Sequence, residues 1–446
     1  MRWWLFPVSL LSMVAAMKLE PESEESICEV SKNIVQGAMN YYLGNEYGGT
    51  VGMFSAPYYW WQAGEVFGGW IDYFHFCKPD NKTFEKILYD AMLHQAGSKF
   101  DYMPSNQSMT EGNDDQGVWG LTLLQAVERN FTDNKDNSWL SMAQSIYNQM
   151  SSRWDTTTCH GGLRWQIFTW NSGYNYKNSI SNGCFFHIAA RLYRYTDDER
   201  YLEQAEKIWD WMWGVGFMTD EDGEFIIYDG ADDQTNCTDL TIHKWSYIYG
   251  VFLGGCAYLY NSTEDEIWKT RVEEILEASE YFYKDDVLQE TTCEPWKMCN
   301  NDQRSFIALL VRNMGLTASL IPSLRDNIRN RMLRSSAIAA AQSCSGGEDG
   351  ITCGQNWHEN GWDGLYGLGE QMNALETVMT MITVDHEPYT ADNGGSSKSV
   401  PDAGNHSTTS VNNNLFDVET KDKAGAAILT AVVLGLTLSG GVWMLF

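Results

Sequence analysis

Cationic side chains are scarce in this chain. Its 446 residues hold 30 Lys and Arg against 59 Asp and Glu, a formal charge of −29. Nucleic acid needs a basic footprint to offset its phosphates, so that partner is excluded. No two cysteines have C-x-x-C spacing and no H-E-x-x-H occurs. Both absences speak against a zinc site, and the chain is read as needing neither metal nor cofactor. A D-D-x-x-D run is also missing, which argues against a helical terpene cyclase.

Aromatic residues are abundant, with 19 Trp and 23 Tyr in a chain that is 43% apolar. Such side chains serve either as helix-packing core or as platforms for sugar rings. The acidic residues gather in amphipathic stretches such as 197–210 and 264–280, which read as a solvated outer face.

Two kinds of helical segment alternate along the chain. Charged, amphipathic ones fall at 26–43, 83–100, 138–153, 197–213, 264–283 and 324–344. Charge-poor, aromatic ones fall at 58–76, 113–131, 176–195, 242–260, 303–321 and 368–384. The first kind shows helical spacing, as in Ile208, Trp211 and Met212 against Glu203, Glu206 and Asp210. The second is apolar nearly all round and calls for burial on every side. Six outer and six inner helices predict an all-α (α/α)6 barrel over 26–386. An open solenoid needs polar capping repeats, and none are seen. In such a toroid the inner helices run one way, so their N-termini meet at one mouth. Those N-termini include Pro57-Tyr58-Tyr59-Trp60-Trp61-Gln62, Tyr174-Asn175-Tyr176-Lys177-Asn178 and His243-Lys244-Trp245-Ser246-Tyr247. Polar groups interleaved with aromatics describe a carbohydrate cleft, although helix caps also recruit polar residues.

The two ends suggest an exported, anchored protein. Residues 1–16 read as a signal peptide: a basic start, an apolar run and a small-residue site. Residues 387–414, rich in Gly, Ser, Asn and Thr, read as a flexible stalk. Residues 415–446 combine a polar spacer with an uncharged tail, the pattern of a GPI-attachment signal removed on maturation. No basic residue follows that tail, which favours GPI attachment over a plain transmembrane anchor. The expected location is outside the cell, on the plasma membrane or wall. All 10 cysteines lie between Cys28 and Cys353, an even number that predicts several disulfides. Cys293/Cys299 and Cys344/Cys353 are close enough to close short loops. Sequons stand at Asn81, Asn106, Asn130, Asn236, Asn261 and Asn405.

The sharpest local feature is Glu111-Gly112-Asn113-Asp114-Asp115-Gln116-Gly117. Glycosidases cleave with two carboxyl groups flanking the scissile bond. Neighbouring aspartates entering a helix can present both to one cleft, and like charges so close keep one of them protonated. The same run also reads as an ordinary cap followed by first-turn acids.

Residues 111–116 resemble the signature of glycoside hydrolase family 76, the endo-α-1,6-mannanases, and are most similar to its fungal GPI-anchored, cell-wall branch. Matching stretches include Pro57-Tyr58-Tyr59-Trp60-Trp61, Cys159-His160-Gly161-Gly162-Leu163-Arg164-Trp165 and Gly369-Glu370-Gln371-Met372-Asn373. The resemblance covers nearly all of 28–385 and implies a retaining mechanism, with Asp114 as nucleophile and Asp115 as acid/base. It also implies mannan or a GPI glycan as substrate, with hydrolysis or transfer to a β-glucan acceptor. Alongside the pair, Trp60, Trp61, Asn113, Gln116, Asn178, Asn182, Trp245 and Tyr247 are the candidate sugar contacts. The family's amide after Tyr247 is replaced by Ile248, which puts one sugar hydrogen bond in doubt. An α-1,2-mannosidase toroid would want a metal site that the sequence does not show. The protein is expected to be a monomer that meets membrane only through its lipid. A silent glycan-binding protein on the same fold is the alternative.

Overall fold

The computed structural model describes residues 16–79, 81–107, 109–405 and 420–443. In chain order its helices are α1 (Glu24–Met39), α2 (Trp60–Cys77), α3 (Lys82–Gln95), α4 (Asn113–Glu128), α5 (Trp139–Ser152), α6 (Ser179–Thr196), α7 (Glu199–Gly214), α8 (Ser246–Thr263), α9 (Glu266–Ala278), α10 (Phe306–Leu320), α11 (Arg334–Ser343), α12 (Leu368–Thr383) and α13 (Thr420–Trp443).

The even-numbered helices from α2 to α12 each pack on the next, and α12 packs back on α2. The ring is closed, and the architecture is the expected (α/α)6 barrel. Burial explains why these segments line the centre: every residue of α10 and of α12 is buried. The outer helices bury one stripe only. In α7, Tyr201, Ala205, Ile208, Trp209 and Met212 face inward while Glu203, Glu206, Lys207 and Asp210 face water.

The two ends of the barrel are built differently. At the base, α6 reverses into α7 and α8 into α9 within two residues. Asp197 and Glu264 take the left-handed conformation, and Asp198 and Asp265 then cap the next helix through their side chains. At the mouth the connections are long and carry small antiparallel ladders. One of them, Tyr176–Asn178 against Gly230–Asp232, corrects the expected helix start at 176. Likewise the inner helix predicted from 242 begins at Ser246, because Leu240–Thr241 pairs with Gly230 and Ala231. The sixth outer segment, expected to be one helix, enters α11 through a wide π-type coil at Asn327–Leu333.

Four disulfides form. Cys28–Cys77 ties α1 to the end of α2, whereas Cys159–Cys237, Cys293–Cys299 and Cys344–Cys353 fasten mouth loops. Both short pairs anticipated from spacing are present. Cys184 and Cys256 are buried thiols.

Charged groups run down the barrel axis, paired among themselves. Arg312 on α10 donates to Glu376 on α12 at 2.6 and 3.0 Å and to Glu65 on α2 at 3.1 Å. Arg129 donates to Asp72 at 2.7 Å, and Arg191 to Glu128 at 2.8 and 2.9 Å.

The flexible stalk expected from 387 requires correction. Residues 387–405 lie on the barrel as a strap, held largely by hydrogen bonds. Tyr389 N donates to Glu128 O, Asn130 Nδ2 to Gly394 O and Asn148 Nδ2 to the carbonyls of Pro401 and Ala403. Gln144 joins in at both ends of its amide, donating to Ser399 Oγ and accepting from Val400 N. The rest of that segment, 406–414, and nearly all of the leader at 1–16 lie outside the described residues. Residues 409–446 form a separate unit containing α13. Among the described residues no single helix is long and apolar enough to cross a membrane. Of the sequon asparagines, Asn81, Asn106, Asn130, Asn236 and Asn405 are exposed. Asn261 is half-buried, its amide spent on Leu320 O and Arg194.

Candidate active site

Asp114 and Asp115 open α4 at the barrel mouth, both half-buried. Gly112 is the cap, and its N–H donates to Asp115 Oδ2 at 2.7 Å. Asp115 N in turn donates to Asp114 Oδ1 at 3.0 Å. A methyl group placed on Gly112 would lie 2.3 Å from Asp114 Oδ1 and 3.0 Å from Asp115 Oδ2. The two oxygens therefore converge on one point. They can be no farther apart than those lengths combined.

Gly112 has φ −92° and ψ 164°, which any residue can adopt. Only space demands glycine here. Gly112→Ala should therefore fold with a melting temperature within a few degrees of wild type, yet lose about 10²-fold in kcat by displacing both carboxylates. Thermal melts beside steady-state rates check this.

Electrostatics hold a proton at the site. Burial, followed by the charge of Asp115, pushes the Asp114 carboxyl well above the usual range. Burial pushes Asp115 up to about 6, restrained by the Gly112 N–H and raised further by Asp302. The pair titrates as one unit, so near neutral pH one carboxyl is acid and its neighbour carboxylate. Behind it, Glu111 is buried with neither carboxyl oxygen hydrogen-bonded, and burial, then the charge of Asp115, push its carboxyl well above the usual range.

The facing wall comes from α2, α8 and α10. Trp61 Nε1 donates to Asp302 Oδ1 at 2.8 Å. Tyr247 stacks on Phe306 with centroids 3.8 Å apart, and Trp245 meets the same ring edge-on at 5.6 Å. Burial, with Asp229, Asp114 and Asp302 nearby, pushes the Tyr247 phenol up. Trp165, 37% exposed, stands beside the pair because its carbonyl accepts from Asn113 N at 2.8 Å. Trp61, Trp245 and Tyr247 thus gather around the Phe306 ring.

Five of the candidate sugar contacts are spent on the protein itself. Trp60 is buried and donates to Gln95 at 2.8 Å. Asn113 bridges Arg164 O and Arg153. Gln116 joins Asp101 O, Gln149 and Arg153. Asn178 caps α6, and Asn182 clamps both backbone groups of Leu163. Helix starts and loop backbones had unmet hydrogen bonds, and these amides satisfy them. Ile248 is fully buried, so the missing amide leaves no gap in the cleft.

Sequence reasoning missed Asp302. It follows Asn300-Asn301 in what reads as a turn, and its place is set by Trp61 from the far end of the chain. Burial pushes it up to about 6.

Burial also raises Glu290 to about 8 and Glu294 to about 7 at the mouth. Carboxyls raised on folding stabilise the fold below about pH 4, and that stabilisation is lost as pH rises through the raised values. The melting temperature should therefore fall between about pH 5 and 8, and Glu290→Gln should flatten the upper part of the decline.

Comparison with known proteins places this geometry. The model of "Glycosyl hydrolase family 76" matches residues 26–392. The chain is 54% identical over 436 residues to mannan endo-1,6-alpha-mannosidase DFG5 of Candida albicans, covering 97% of this chain and 96% of that protein. It is 51% identical to the Saccharomyces cerevisiae protein of that name, with 98% and 96% covered. The crystal structure of Dfg5 from Chaetomium thermophilum in complex with glucosamine superposes with TM-score 0.82 at 35% identity, covering 88% of this chain and 99% of that one. The fold is shared with an inactive double Asp→Asn variant of the Salegentibacter alpha-1,6-mannanase GH76A bound to alpha-1,6-mannotriose. There the TM-score is 0.64 at 18% identity, over 80% of this chain and 99% of that one. On its sequence, its barrel and these relatives together, the chain belongs to glycoside hydrolase family 76.

Proposed function

We propose that this glycoside hydrolase is a retaining endo-α-1,6-mannosidase or transglycosidase acting on cell-wall mannan or the mannose core of GPI glycans. The observation that carries the reading is the convergence of two carboxylates on Gly112 at an aromatic-walled mouth. The names of the fungal relatives support the linkage.

Asp114 attacks the anomeric carbon while Asp115 protonates the leaving oxygen, and a glycosyl–Asp114 ester forms as the glycosidic bond breaks. Asp115 then takes the proton from water or from a sugar hydroxyl as that oxygen displaces Asp114. Positive charge developing on the sugar favours ionised Asp114 and moves the shared proton to Asp115. The Chaetomium relative is seen with glucosamine. Three acids here, Asp114, Asp115 and Asp302, suit a protonated amino sugar beside mannose.

The sequence pattern at the two ends supports export with a GPI lipid, at the plasma membrane or wall. The sequons support N-glycans at the exposed asparagines.

Incubation of the purified ectodomain with defined α-1,6-mannosides and GPI-core glycans, with and without β-glucan acceptors, followed by mass spectrometry, tests the reading. Cleaved or transferred mannosides are expected. Intact substrates throughout would sink it.

A further inference from the structure

Trp296 is 72% exposed and Met298 75% exposed, at the tip of a mouth loop tied off by Cys293–Cys299. Leaving a tryptophan in water forgoes one of the largest burial gains available to any side chain. Flexibility does not explain it, because the loop is braced at both ends. Within it, Trp296 N and Met298 N donate to Cys293 O at 3.2 and 3.1 Å. At its root Thr292 Oγ1 donates to Lys244 O at 2.5 Å, and Ser246 N donates to Glu290 at 3.4 Å. On the other side Arg304 donates to Cys299 O at 3.4 Å.

The loop is continuous with the catalytic mouth. From Cys299 the chain runs straight to Asp302, which holds Trp61 and bears on the acid pair. Other exposed aromatics on mouth loops are Tyr47, Tyr59, Trp165, Trp170, Trp362 and Tyr366.

We propose that Trp296, on its stapled loop, is an outlying stacking subsite for the stretch of neutral glycan chain that leaves the cleft. This rests on the glycosidase reading above and adds to it a grip on long substrates. A sugar ring offers an apolar C–H face to an indole, and a tryptophan held rigid loses little entropy on stacking. The chain's charge of −29 turns away polyanions and anionic bilayers, leaving an uncharged polysaccharide as the matching occupant.

The test compares wild type, Trp296→Ala and Trp296→Tyr on α-1,6-mannotriose and on long unbranched α-1,6-mannan. The preference in kcat/KM for mannan over mannotriose should fall about tenfold in Trp296→Ala and recover largely in Trp296→Tyr. Affinity electrophoresis in mannan gels, in an Asp114→Asn background, should show the same loss of retention. An equal effect on both substrates, or unchanged retention, overturns the proposal, as does a loss that tyrosine cannot restore. Loss of binding to neutral phosphatidylcholine vesicles in place of mannan makes the loop a membrane contact and also overturns it. If wild type cleaves neither substrate, the functional reading fails, and the gel retention alone decides whether Trp296 grips the glycan.

Discussion

Asp114→Asn and Asp115→Asn should each cut turnover of α-1,6-mannosides by at least about 10⁴-fold while melting close to wild type. Asparagine keeps the carboxylate's outline, and at Asp115 its amide oxygen can still accept from Gly112 N–H, so the cap survives. The chemistry does not, because an amide neither forms the glycosyl ester nor shuttles a proton. The two variants should also fail differently. Without the acid/base, substrates with good aryl leaving groups should lose far less than natural mannosides, and added azide should restore part of the rate by attacking the ester unaided. Without the nucleophile, neither change of conditions helps. Wild-type rates in either variant would remove the mechanism.

The second large effect concerns stability. Arg312→Met should destabilise the barrel by about 3–5 kcal/mol, read as the urea unfolding midpoint, because Glu65 and Glu376 lose their shared cation inside the core. Glu65 is already pushed up to about 7 by burial, with Arg312 holding it down and Glu376 raising it. In the variant these acids can escape only by protonating, so the loss should be smaller at pH 5 than at pH 8. Adding Glu65→Gln and Glu376→Gln should recover much of it. A variant as stable as wild type at both pH values would show that the axis charges contribute nothing.

The fold was legible because periodicity and burial agree. Segments apolar all round became inner helices, and striped ones such as α7 became outer helices. Ser23, Asn81 and Ser138 cap helices through their own side chains, a detail the sequence reading did not single out. What else escaped were features decided by distant partners. Tyr176–Asn178 continues an apolar helix in sequence, and only its ladder with Gly230 makes it a strand. Asn178, Asn182 and Gln116 sit where sugar contacts belong, but a sequence does not reveal which unmet backbone group lies nearer than the substrate. Residues 387–405 carry no apolar period because hydrogen bonds to α4, α5 and α6 do most of the work of fixing them. The acid pair itself was legible because adjacency alone brings two carboxylates to one helix start.

The ring closes by its ends, since α12 packs on both α1 and α2. Closing the ring therefore waits on contacts between the two ends of the barrel sequence. During synthesis the flanks of α1 and α2 that meet α12 stay bare until almost the whole chain has been made. A nascent chain held up before α12 would display that apolar seam to chaperones, and to other unfinished copies. Productive folding thus depends on shielding an open horseshoe for most of translation.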